Sequence, residues 1–108
     1  MKAMISQPMA GLTEERIDAA REKAVQYLES EGYEIVNTYF KDEWTNPEQM
    51  NARGVEQIPL YFLSKSLEHM SLCHAVYFAE GWENARGCRL EHDAAKAYDL
   101  ELIYEDEN

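Results

Sequence analysis

The run Ala75-Val76-Tyr77-Phe78-Ala79, broken at Gly81 and followed by Gly87-Cys88-Arg89-Leu90-Glu91-His92-Asp93-Ala94-Ala95, constrains this chain more than any other stretch. A short apolar run rich in β-branched and aromatic residues reads as a buried strand. The turn at Gly81 leaves Trp82 and Asn84 in a loop, and a helix begins near Gly87. Leu90, Ala94 and Ala97 recur at helical spacing, which predicts that they face the sheet. A buried strand passing through a short loop into a helix is half of a parallel α/β unit.

The rest of the chain repeats the unit. Ala3-Met4-Ile5 is the centre of a first strand, and Pro8 and Gly11 mark the loop after it. Thr13 is a good N-cap, with Glu14 and Glu15 in the first turn. Ile17, Ala20, Ala24 and Leu28 share one helical face, and Gly32 follows the helix as its C′ residue. Tyr33 to Asn37 reads as a second strand. Thr38 to Asn46 has no period and carries Tyr39, Phe40 and Trp44. That is a candidate lid or pocket wall, or a surface loop pinned by its aromatics.

Asn46-Pro47-Glu48 predicts a short helix with Asn46 as N-cap and Pro47 at N1. Val55 to His69 predicts a longer one, with a start near Pro59 as the alternative, and with Leu60, Leu63, Leu67 and Met70 as its apolar face. Tyr61 and Phe62 fall beside that face, available to a subunit interface. Leu100 to Tyr104 is a last strand, and Glu105 to Asn108 a polar tail. The order β-α-β-(α-α)-β-α-β predicts one domain over residues 1–108. It is a small, mostly parallel α/β sheet with helices on both faces, a Rossmann/flavodoxin-like three-layer arrangement.

Charge and cysteine usage narrow the function classes. The chain of 108 residues carries 10 basic and 21 acidic residues, a net charge of −11. No basic stripe offers a footprint for nucleic acid or for an anionic membrane. No apolar run reaches the length of a membrane span, and no signal-peptide pattern opens the sequence. Cys73 and Cys88 form no CxxC and no disulfide framework, so a cytoplasmic protein is the simple reading. His69, His74 and His92 lack metal-ligand spacing.

Glu91 draws attention because it falls at the start of the helix, near the carboxyl end of the strand, where open α/β sheets bind ligands. A first-turn carboxylate is kept ionised by the helix dipole and can attack an electrophilic carbon. The same placement also serves helix stability alone, at about 0.3–1 kcal/mol. Gly87, one turn earlier, leaves a substrate room to approach the backbone. Trp82 offers a flat face for a base or sugar, or simply packs.

The stretch Gly-Trp-Glu-Asn-Ala-Arg-Gly-Cys-Arg-Leu-Glu-His-Asp-Ala-Ala from Gly81 to Ala95 resembles the signature of the nucleoside 2-deoxyribosyltransferase-like superfamily. It is closest to a branch of small phage and bacterial members. In that superfamily a glycine precedes a nucleophilic glutamate by four residues, as Gly87 precedes Glu91 here. The resemblance extends over nearly the whole chain and implies that Glu91 attacks C1′ of a deoxyribosyl group. It implies too that the loop Ser6-Gln7-Pro8-Met9-Ala10-Gly11 lines the site, with Ser6, Gln7, Met9, Gly11, Trp82, Asn84, Arg86 and Gly87 as substrate-binding residues. Its members are commonly homodimers or larger, and their chemistry needs no metal or redox cofactor. Two positions depart from the pattern. His74 stands where many relatives have Asp, and Ala85 where many transferases have an acid used in handling the base. The implied activity is N-glycosidic cleavage or deoxyribosyl transfer on a nucleoside or its monophosphate. The alternative is a non-catalytic nucleotide-binding or dimeric interaction module of the same fold.

Overall fold

A computed structural model of the chain describes residues 1–41 and 46–105. Trp44 and the tail beyond Glu105 therefore lie outside the described residues. The elements are β1 (Lys2–Ser6), α1 (Glu14–Ser30), β2 (Glu34–Ile35), α2 (Glu48–Ala52), α3 (Ile58–Met70), β3 (Ala75–Phe78), a 3-10 turn (Trp82–Asn84), α4 (Arg86–Ala97) and β4 (Glu101–Tyr104). The strands lie in the order β2-β1-β3-β4, and every pairing is parallel. Ala3 pairs with Ala75 and Ser6 with Phe78, so the two apolar runs form the sheet's centre.

Strand parity builds the three layers. Ala3 and Ile5 of β1 join Ala75, Tyr77 and Ala79 in a cluster with Ala24 and Leu28 of α1. Met4, Val76 and Phe78 face the other way, against Met70 and Ala95 on α3 and α4. Because successive side chains alternate, Ser6 is turned toward the α3/α4 layer rather than toward α1. Thr13 caps α1 as its sequence predicts, its hydroxyl accepting from the Arg16 N–H at 3.2 Å.

Three details depart from the sequence reading. Pro47, not Asn46, is the N-cap of α2, since its carbonyl accepts the first helical bond, from Asn51 N–H. The long helix begins at Ile58, and of its expected apolar face only Met70 is buried; Leu60 is 61% exposed and Leu67 also reaches solvent. On α4 the buried residues are Cys88, Glu91 and Ala95, whereas Leu90 is 46% exposed and Ala97 is exposed. A phase taken from apolar residues puts a glutamate outside. Here the glutamate is inside because the Ser6 hydroxyl meets it, which rotates the helix away from the Leu90 phase.

Candidate active site

Ser6 is the last residue of β1, 1% exposed, and its hydroxyl donates to Glu91 Oε1 at 2.8 Å. Ser66, on α3, also favours the charged form of the Glu91 carboxyl. Strand β1 thus holds a carboxyl of α4. Glu91 is 8% exposed and borders a cleft of about 410 Å³ with Gln7, Met9, Asn84, Arg86 and Gly87. The cleft opens beyond the carboxyl end of β1. There the chain crosses to β2 on one side while β3 pairs on the other, the place where sheets of this kind leave a crevice.

Glu91 lies in the second turn of α4, not the first, so the free N–H groups of the helix start are not its partners. Its ionisation is set differently from the sequence expectation. Burial pushes the carboxyl above its ordinary value, and Ser6 and Ser66 oppose that shift by favouring the charged form. The first turn of α4 holds no acid, and Ala85 before it offers no side-chain cap. A side chain at Gly87 would meet nothing within 4 Å, so this glycine leaves open space beside the carboxylate.

Cys88 borders the cleft too. Burial raises its thiol to about 11; a bond with Ser6 opposes the rise and the charge of Glu91 adds to it. At neutral pH it is a protonated thiol, not a nucleophile. Gln7 is 6% exposed and its Nε2 donates to the Ile17 carbonyl at 3.0 Å. That bond fixes the amide's orientation and leaves Oε1 buried without a partner among the described residues.

Of the residues nominated from sequence, Gln7, Met9, Asn84, Arg86, Gly87 and Glu91 come together on one cleft. Ser6 stands behind Glu91, bonded to its carboxyl, and does not line the cleft. Gly11 is exposed and outside the lining; at φ +77° a side chain there is strained by the backbone, with nothing within 4 Å to strike. Trp82 also lies away. It stacks on His92 at 4.3 Å and packs on Phe78 and Tyr104, while His92 Nε2 pairs with the Tyr104 hydroxyl at 2.6 Å. The sequence reading did not nominate Phe62, Ser66 or Cys88, which the cleft includes, whereas Thr38 and Phe40 come from the segment read as a lid or pocket wall, or as a surface loop. His74 sits at the opposite end of the sheet, where its Nδ1 accepts from the Lys2 N–H at 3.0 Å.

A family model described as "Domain of unknown function (DUF4406)" matches residues 1–104. The chain belongs to that family. The DUF4406 match runs from β1 through β4, so every residue of the cleft lies within it. No curated protein and no solved structure matches the chain.

Proposed function

We propose that the protein cleaves, or transfers across, the N-glycosidic bond of a nucleoside or nucleoside monophosphate, with Glu91 as the nucleophile at C1′. The observation that carries this reading is the buried Glu91 carboxyl, bonded by the Ser6 hydroxyl in a cleft at the carboxyl end of the sheet. A Glu91 oxygen bonds to C1′ as the C1′–N bond breaks, and that bond's electron pair leaves with the base. Water or a second base then attacks C1′, and the ester bond's electron pair returns to Glu91. With water as acceptor the products are the free sugar and the protonated base nitrogen, so atoms and charge balance. The substrate is a small molecule, the location cytoplasmic, and the mechanism uses no metal or redox cofactor.

The competing reading is a non-catalytic nucleotide-binding module. It draws on Ala85, which lines the cleft where the resembled transferases carry an acid. Incubation with deoxynucleosides, their monophosphates and NAD, followed by chromatography of free base, separates the two. Base release supports catalysis. Saturable binding without release of base supports the module.

The reading includes a homo-oligomer. Leu60 and Leu90 flank one groove, and Leu67 shares another with Tyr98, which is 82% exposed. Both grooves lie on the outer surface of the α3/α4 layer, where apolar side chains face solvent in a chain of net charge −11. Light scattering at micromolar concentration is expected to give twice the chain mass. Leu60→Glu and Leu90→Glu together should return it to the monomer. No helix among the described residues is long and apolar enough to cross a membrane.

A further inference from the structure

Resting on the reading of Glu91 as the residue that meets the sugar, the cleft still needs a surface for the flat base. Trp82, the aromatic that sequence alone suggests, is engaged by His92, Phe78 and Tyr104 outside the cleft. Two other rings line it. Phe40 follows β2, Phe62 lies on α3, and their ring centroids are 6.4 Å apart with planes 18° from parallel. We propose that the Phe40–Phe62 pair is the base-receiving wall of the site, taking a planar heteroaromatic base while Glu91 addresses the sugar.

The layout of α3 supports this. Phe62 and Ser66 are four residues apart, so they stand one above the other on the same face of the helix. Ser66 borders the cleft with Glu91 and favours the charged carboxyl, and Phe62 carries the ring. One helical face therefore presents both a hydroxyl that favours the carboxylate and an aromatic surface to the same cleft, with Pro59 and Leu63 completing the apolar side. Phe40 is held by its neighbours. The His69 ring meets it edge-on at 5.1 Å, and Lys65 Nζ lies 4.9 Å from its centroid. A ring fixed by such neighbours costs little ordering entropy when a ligand stacks on it. Stacking accepts any base, because every base has a π-face. Discrimination between bases then falls to polar groups on the cleft such as Asn84.

The test uses the full chain carrying Glu91→Gln, so that binding is read without turnover. Calorimetric titration with deoxyadenosine, thymidine and 2-deoxyribose is compared before and after adding Phe62→Leu or Phe40→Leu, which keep apolar bulk and remove the ring face. Both nucleosides are expected to weaken by about 5- to 100-fold, 2-deoxyribose to be unchanged, and Phe62→Tyr to restore binding. In the protein with Glu91 intact, Phe62→Leu should raise KM more than it lowers kcat. Unchanged nucleoside affinity in folded Phe62→Leu and Phe40→Leu proteins overturns the aromatic wall and leaves the role of Glu91 standing. Absence of binding by the nucleosides, and by their monophosphates titrated in the same way, before the Phe substitutions overturns both.

Discussion

A Glu91→Gln protein will fold, bind nucleoside, and release base at least about 10³-fold more slowly than wild type, the scale of loss seen when a nucleophile is removed. The substitution keeps the shape of the side chain and an oxygen able to accept from Ser6, whose bond to Glu91 Oε1 is 2.8 Å. It removes the negative charge that, in the proposed mechanism, attacks C1′ and stabilises the cationic transition state. Stability should move the other way. Burial raises the Glu91 carboxyl above its ordinary value, so the folded protein binds this proton more tightly than the unfolded chain does. Such a group costs stability progressively as pH rises from its unfolded value, about 4.3, through its raised folded value. Gln has no such cost. The variant's melting temperature at neutral pH should equal or exceed that of wild type, and the difference should shrink as the pH falls below about 4. Base release and melting temperature on this one variant divide the readings. A residue serving only to steady the helix would lose stability and keep turnover. Folded Glu91→Gln protein that releases base at the wild-type rate removes Glu91 from the mechanism.

The frame of this molecule was legible because it rests on contiguous signals. Ala3-Met4-Ile5 and Ala75-Val76-Tyr77-Phe78 are buried on both faces and read as apolar runs, as central parallel strands do. Thr13 announces α1 through a contact only three residues long. What could not be read depends on partners distant in sequence. Ser6 and Glu91 are separated by 85 positions, and without that bond nothing marks Glu91 as an inward residue of α4. The apolar residues Leu90 and Leu60 were therefore assigned inward and are found outside. That Trp82 stands outside the Glu91 cleft was illegible for a similar reason, since the rings that surround it come from β3, α4 and β4. Ser66 carried no local signal, as a serine on a helix face is ordinarily a solvent contact. By contrast, the unperiodic aromatic segment from Thr38 did stand out, because a loop with large rings and no period must place those rings against something, a pocket wall or simply the surface. Phe40 of that segment lines the cleft.

Ser6→Ala should lower turnover at neutral pH by about 10-fold or more, given that hydrogen bonds to charged groups contribute about 1.5–3 kcal/mol, and should move the acid limb of the pH profile upward. Two consequences of losing this hydroxyl must be kept apart. The first is electrostatic. Burial pushes the Glu91 carboxyl up while the Ser6 hydroxyl, bonding the charged form, pulls it down. Removing that donor leaves the upward push less opposed, so a larger share of the protein carries protonated, unreactive Glu91 near neutrality. Activity that needs the anion then appears only at higher pH. The second is geometric. With Ser6 gone, the carboxylate loses the hydrogen bond that orients it, and a less well-aimed nucleophile reacts more slowly even when fully ionised. The plateau above the acid limb separates them. A profile that shifts and regains the wild-type plateau shows an electrostatic role, whereas a shifted profile with a lowered plateau shows positioning as well. The neighbouring Cys88 thiol does not confuse the result. It already stands at about 11, and the Ser6 bond lowers it, so loss of that bond keeps it protonated across the range measured. Ser6→Thr retains a hydroxyl at the end of β1 and should restore most of the activity and the original acid limb. If folded Ser6→Ala keeps both its plateau and its acid limb, the bond between β1 and α4 is structural only, and Glu91 is aimed by other contacts.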